Sequence, residues 1–317
     1  MATYDFISLA TKPSAKICYK FYPSVKTTKP VLLVFVNPMG LTQTSWENVI
    51  TRLHKNAPNG GVPAMLTYDR YGQGQTTDRD PSDANAVDKR HGHDCLDVVH
   101  DLHQLITQIA DQDMGISDIG QLQLVFVANS IGGALTRLYA QEYPGSVAGL
   151  LLLDSVLANT DFVSIFPDPD ACDFDKSTLP VVVEVEDIRA SRAFAQRVFH
   201  PSNGSDEGLS RKNLSALLPY SDGPQLQGPD GRGPWVTVVG HEWEASEREQ
   251  EAMGAPGLVT RMYSNPFWSA YNEGLAKITE PERSKGPFQA LGAGHFIQRD
   301  NPELVEGEIR DILDKVL

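Results

Sequence analysis

The sequence predicts an α/β fold, a mostly parallel, doubly wound sheet carrying a helical cap insertion. Three observations lead there. Short, unbroken apolar runs such as Val31–Val36 and Leu150–Leu153 have the pattern of strands buried on both faces. Stretches with apolar residues at helical spacing alternate with them, as βαβ units require. Between 155 and 233 that alternation stops, and Pro, Asp, Ser and Gly accumulate, so this stretch reads as an insertion into the sheet. The expected organisation is a core in two parts, 1–154 and 234–317, with a cap at 155–233.

Each element follows in order. Tyr4–Leu9 and Ala15–Tyr22 alternate apolar and polar residues, as an antiparallel edge pair would. Val31–Val36 is the first buried strand. From about Ser45, Trp46, Val49, Ile50 and Leu53 share one helix face. Pro63–Asp69 is a further strand, and Asp94–Asp111 a long helix with Leu96, Val99, Leu102, Ile106 and Ile109 aligned. A strand over Leu122–Asn129 runs directly into a helix, and Val147–Asp154 follows. Within the insertion, helix is expected around Ile188–Val198 and Leu209–Leu218. Strands at Trp235–Val239 and Pro287–Leu291, with a helical stretch between them and a last helix from Glu303, complete the core. The cap lies between the sixth and seventh sheet units, over the carboxyl ends of the strands, where α/β folds bind ligands.

Composition narrows the function. At 317 residues with 41% hydrophobic and 21% charged side chains, the chain has the make-up of a globular protein. A net charge of −14 with no basic stripe opposes a nucleic-acid partner. The N-terminal Met-Ala-Thr-Tyr-Asp-Phe-Ile-Ser has neither the basic head nor the apolar core of a signal peptide. No apolar run is long enough to span a bilayer. Cys18, Cys95 and Cys172 are scattered and odd in number, as in reduced, intracellular proteins. A cytoplasmic protein acting on a small molecule is expected, and its oligomeric state is not legible.

The chemistry centres on Leu122–Gly133, an apolar run ending in Ala128-Asn-Ser-Ile-Gly132 and passing at once into a helix. This is the context of a nucleophile elbow, with Ala128 where G-x-S-x-G has its first glycine. The tight turn needs small neighbours, and it stands the Ser130 hydroxyl clear of the sheet at the positive end of a helix. A serine there needs a base and an oxyanion hole. His295, in Gly292-Ala-Gly-His-Phe-Ile-Gln298, is the candidate base. The cluster His91, His93, His100 and His103 lacks metal-ligand spacing and reads as a solvated helix face. Gly72-x-Gly74 lacks the remainder of a dinucleotide fingerprint. Neither a metal nor a cofactor is expected.

Four segments in this order, Asn37-Pro-Met-Gly40, Asp69-Arg-Tyr-Gly-Gln-Gly74, Ala128-Asn-Ser-Ile-Gly132 and Gly294-His-Phe-Ile-Gln298, give the chain a resemblance to the α/β-hydrolase fold over nearly its whole length. Leu152-Leu-Asp-Ser155 and Asn265-Pro-Phe-Trp268 resemble a fungal subgroup often tied to secondary metabolism. The resemblance implies that Ser130 is the nucleophile and His295 the base. It leaves two positions for the acid: Glu242 after the Trp235–Val239 strand, with Glu244 as fallback, or Asp154 at the end of the preceding strand. It also implies that the backbone N–H groups of Ile131 and Met39 form the oxyanion hole, since Pro38 has none. Asp69–Arg70 is expected to fasten neighbouring loops. Asn129, Phe162, Phe166, Trp268 and Phe296 are the expected substrate contacts, with Ile165, Phe194 and Phe267 as further aromatic and aliphatic candidates around an apolar pocket. The implied activity is cofactor-independent hydrolysis of an ester, lactone or thioester of a small apolar, polyketide-like molecule through an acyl-enzyme. C–C hydrolysis, acyl transfer, cyclisation or isomerisation on the same scaffold, and non-catalytic binding, are the alternatives.

Overall fold

The computed structural model describes residues 4–27, 29–57 and 61–317. Its strands are β1 (Asp5–Leu9), β2 (Lys12–Tyr22), β3 (Val31–Val36), β4 (Ala64–Tyr68), β5 (Gln123–Asn129), β6 (Val147–Leu153), β7 (Trp235–His241) and β8 (Ser284–Ala290). They form one sheet in the order β1-β2-β4-β3-β5-β6-β7-β8. β1 and β2 pair antiparallel, as do β2 and β4, and every pairing from β4–β3 to β7–β8 is parallel. The helices are α1 (Glu47–Lys55), α2 (Cys95–Met114), α3 (Ile131–Glu142), α4 (Val185–Val198), α5 (Leu214–Leu217), α6 (Trp243–Ala252), α7 (Gly257–Val259), α8 (Asn265–Leu275), α9 (Ile297–Asp300) and α10 (Pro302–Val316).

The unbroken apolar strands have a direct structural cause. Successive side chains leave a strand on opposite faces, and both faces of this sheet are covered. Leu32, Val34 and Val36 of β3 join a core with Phe126 of β5, Leu102 and Ile106 of α2, and Leu135 and Leu138 of α3. Val31, Leu33 and Phe35 join a second core with Val49 and Leu53 of α1 and Val305, Ile309 and Ile312 of α10. The doubly wound expectation therefore holds.

Two local readings needed adjustment. The helix expected over Leu209–Leu218 shrinks to α5, because Leu209 forms a β-bridge with His93 and the Ser210 N–H donates to His93 O at 2.7 Å. The backbone there is extended and pinned to the segment before α2. The helix expected from Ser45 starts instead with a 3₁₀ turn at Gln43–Trp46 before α1. Among the described residues, no helix is long and apolar enough to cross a membrane.

Register positions the site. Val36 pairs with Ala128, Asn129 with Leu153, and Leu153 with Val239. The carboxyl ends of β3, β5, β6 and β7 therefore lie side by side. The first residues beyond β5 and β6 are Ser130 and Asp154.

Candidate active site

Ser130 sits at φ 57°, ψ −122° between β5 and α3. Its N–H donates to Leu153 O at 3.1 Å, and its carbonyl accepts the N–H groups of Gly133 and Val156. A left-handed φ on a non-glycine residue costs of order 1–3 kcal/mol, and these three backbone bonds hold it in place. The glycines that follow permit the approach of neighbouring backbone. A Cβ on Gly132 would come within 2.5 Å of Val36 O, and one on Gly133 within 2.3 Å of Ser155 Oγ. Four non-glycine residues among those described have positive φ, and three of them, Ser130, Asp154 and Phe162, line one cavity. Strain of this kind concentrates where geometry is over-determined for function.

Asp154 is fully buried at the end of β6 and receives two imidazoles. His295 Nδ1 lies 2.6 Å from Oδ2, and His241 Nδ1 lies 2.8 Å from Oδ1. The His241 backbone N–H also donates to Oδ1, at 3.3 Å. Burial alone would push the Asp154 carboxyl up, but the charge and hydrogen bond of His241, followed by those of His295, hold it far below the usual carboxylate range. His241 Nε2 faces Asn265 Oδ1 at 3.1 Å, while Asn265 Nδ2 donates to Trp243 O. Both ring nitrogens of His241 thus meet acceptors. Burial lowers its pKa, and Asp154 together with Asn265 raises it above the ordinary value. Trp268 stands edge-on to both imidazoles, at 5.5 and 6.0 Å between ring centroids, and donates its indole N–H to Ser155 O.

The two candidate acids separate clearly. Glu242 does not touch His295; its N–H donates to Ala293 O and its carboxylate lies 3.9 Å from Arg248. The cause is alternation along β7: His241 turns toward Asp154, so the next residue leaves in the other direction. Glu244 is exposed on α6. A different glutamate, Glu249 of α6, accepts the backbone N–H of His295 at 2.9 Å. It also lies where a Cβ on Gly294 would fall, 2.1 Å from its carboxyl carbon. Gly294 is therefore the residue that lets α6 brace the histidine loop.

A cavity of about 450 Å³ opens over these groups. Met39, Ser130, Ile131, Phe162, Trp268, His295 and Phe296 all line it. The N–H groups of Met39 and Ile131 donate to no acceptor among the described residues. The Met39 loop is held from behind. Asn37 Nδ2 donates to Tyr68 O, Asp69 Oδ1 and Gln73 Oε1, and Trp46 donates to Asn37 Oδ1. Arg70 donates to Asn37 O at 2.7 Å and Pro38 O at 3.1 Å. The same guanidinium forks onto Glu207 at 2.8 and 3.1 Å, and both partners are buried. The Asp69–Arg70 segment thus fastens the loop after β3 to the stretch between β6 and β7.

Two expected substrate contacts lie elsewhere. Asn129 is fully buried, and its amide is used by Leu153 O and His295 O, both at 2.9 Å. It ties the histidine loop to the elbow and does not reach the cavity. Phe166 lines a separate recess of about 30 Å³ with Phe162, Ile165, Phe194 and Trp268, and Phe267 is exposed. The histidine cluster is dispersed: His93 pairs with Asp83 at 2.8 Å, His103 with Tyr139, and His91 with Ser210 and Ser202.

Sequence reasoning passed over His241, Glu249 and Glu207. For His241 a signal exists, since it stands at the end of the Trp235–His241 strand, beside Glu242, one of the two candidate acids. For Glu249 and Glu207 no local pattern exists, because their partners are 46 and 137 residues away.

The sequence matches the profile of the Alpha/beta hydrolase family over residues 33–308. No curated protein matches it. Among solved structures it is similar to an epoxide hydrolase mutant from Vigna radiata, at 14% identity and a TM-score of 0.57, over 99% of this chain and 98% of that one. A thermophilic esterase from Thermogutta terrifontis is similar at 18% identity and a TM-score of 0.52, over 99% of both chains. A structure from a study of carboxylesterases of Nitrososphaera gargenis is similar at 16% identity and a TM-score of 0.52, over 98% of both. At these identities the likeness concerns the fold.

Proposed function

The chain belongs to the alpha/beta hydrolase family, and from that premise we propose that it is a serine hydrolase cleaving an ester, lactone or thioester of a small, largely apolar molecule. One observation carries the reading: the strained Ser130 shares its cavity with a histidine whose Nδ1 is held by the buried Asp154 at 2.6 Å. With Nδ1 engaged, Nε2 is the ring nitrogen left to take a proton.

In this scheme Ser130 Oγ attacks the acyl carbon and passes its proton to His295 Nε2. The carbonyl electron pair moves onto oxygen, and the oxyanion is met by the Met39 and Ile131 N–H groups. Collapse breaks the bond to the leaving group, which takes the proton from His295. Water then attacks the acyl-enzyme by the same route and frees Ser130. Asp154 fixes the tautomer of His295 and stabilises its protonated form without itself taking the proton. The apolar walls from Ile131, Val156, Phe162, Phe199, Trp268 and Phe296 suit a mostly hydrocarbon substrate.

A fluorophosphonate probe should label the wild type at Ser130 and leave Ser130→Ala unlabelled, with p-nitrophenyl ester turnover lost in parallel. Folded wild-type protein that resists the probe would overturn the reading.

A further inference from the structure

Of the charged side chains that line the cavity, Asp154 is paired with two imidazoles, and Glu249 and Arg299 with each other at 3.5 Å. Arg211 has no ion pair among the described residues. It is 8% exposed. Its Nε is buried without an acceptor, its Nη2 makes only a 3.4 Å contact with His200 O, and its Nη1 meets no acceptor. A guanidinium stays charged in any protein setting, and burying a charge is costly unless a counter-charge accompanies it. Burial pushes the Arg211 pKa down, whereas at Arg70 the same effect of burial is outweighed by the charge and hydrogen bonds of Glu207.

Arg70 shows how this fold ordinarily meets that need, with Glu207 forked onto it. Glu207 stands four residues before Arg211, yet both of its carboxylate oxygens are committed to Arg70. Nor is Arg211 on a loose loop. Gly208 O accepts the N–H of Gly92, and the preceding Ser210 donates to His93 O. The segment is fixed to the core, and the cation is presented to the cavity rather than turned to solvent.

We propose that Arg211 is the anion subsite of this cavity, and that the substrate carries a carboxylate remote from the bond that is cleaved. The proposal rests on the hydrolase reading and names its substrate class: an acidic ester or thioester whose chain lies along the apolar walls while its carboxylate takes the paired N–H groups of the guanidinium. The free protein leaves Arg211 unpaired because the bound substrate supplies the counter-charge. Selectivity for an acid over its neutral ester follows, since the neutral ester would leave a buried charge unmatched.

The test separates binding from turnover. Ser130→Ala protein is titrated calorimetrically with monomethyl esters of the straight-chain dicarboxylic acids from succinate to suberate, and with the matching dimethyl esters. At least one monoester is expected to bind tenfold or more tightly than its dimethyl partner. Arg211→Met added to Ser130→Ala should abolish that preference while leaving dimethyl ester binding within threefold, and Arg211→Lys should keep part of it. Arg211→Met should melt no lower than its parent, because the charge it removes has no partner. If no monoester is preferred, or if Arg211→Met weakens both series alike, the subsite is overturned, whatever the fluorophosphonate result. A melt well below the parent with the preference intact would assign Arg211 to packing. Loss of labelling with the carboxylate preference retained would overturn the hydrolase reading and leave the subsite standing.

Discussion

Asp154→Asn is the substitution that weighs the proposed chemistry most directly. Asp154 offers Oδ2 to the His295 ring and Oδ1 to both the ring and the backbone N–H of His241. An asparagine has one acceptor and one donor in the same volume. With its oxygen toward His241, which brings two donors, the NH₂ faces His295 Nδ1 and is satisfied only if that nitrogen carries no proton. The proton then sits on Nε2, and the base that should receive from Ser130 is blocked. With the amide reversed, the NH₂ is set against the two donors of His241. Both arrangements disfavour the reactive tautomer. The corresponding loss in a serine–histidine–aspartate site is about four orders of magnitude in kcat, or about 5.4 kcal/mol.

The assay is kcat on a p-nitrophenyl ester beside the rate of fluorophosphonate labelling. Thermal melting identifies folded protein, because the substitution also breaks a buried ion pair. Glu242→Gln is the matched control and should stay within twofold of wild type, since the Glu242 carboxylate approaches Arg248 and neither imidazole. Folded Asp154→Asn retaining a tenth or more of wild-type kcat would refute the reasoning. So would a loss of several orders of magnitude in Glu242→Gln.

Two further outcomes test the supports of the site. Glu207→Gln removes the charge partner of the buried Arg70 and should cost about 3–5 kcal/mol in urea unfolding, with kcat falling as the Asn37–Pro38 carbonyls lose their anchor; unchanged stability would show the pair to be dispensable. His241→Gln should lower stability in a pH-dependent way. The depressed Asp154 contributes stability above its unfolded pKa of about 3.9, and this is lost as pH falls through the folded value; the raised His241 contributes fully below about 6.5, and this is lost as pH rises through the folded value. The gap between wild type and His241→Gln should therefore be widest near about pH 5–6 and shrink toward about pH 9, and equal gaps at both ends would contradict a charged His241.

The central strands were legible because they are buried on both faces, β3 and β6 as unbroken apolar runs. Val31–Val36 and Val147–Leu153 could be read without regard to the rest of the chain, and β6 and β7 are the strands on either side of the stretch where alternation stops. The reading failed where pairing across the fold overrode local preference. Leu209–Leu218 has the apolar spacing of a helix, but its first residues are extended because His93 supplies a strand-like partner. Nothing near Leu209 announces His93, which lies more than a hundred residues earlier.

The site divides in the same way. Ser130, Met39 and Ile131 belong to turns whose geometry is local; the family resemblance named them, and all three line one cavity. The acid was left between two positions because the choice depends on which side a strand end faces, and that follows from register: Leu153 opposite Val239 brings Asp154 and His241 together and sends Glu242 away. Charge balance is the least local property of all. Glu207 and Arg211 lie four residues apart in a segment without a motif, yet among the described residues Glu207 has an ion-pair partner in the core and Arg211 has none. A sequence shows that both are charged; only the fold shows that, among the described residues, one of the two charges has an ion-pair partner and the other has none.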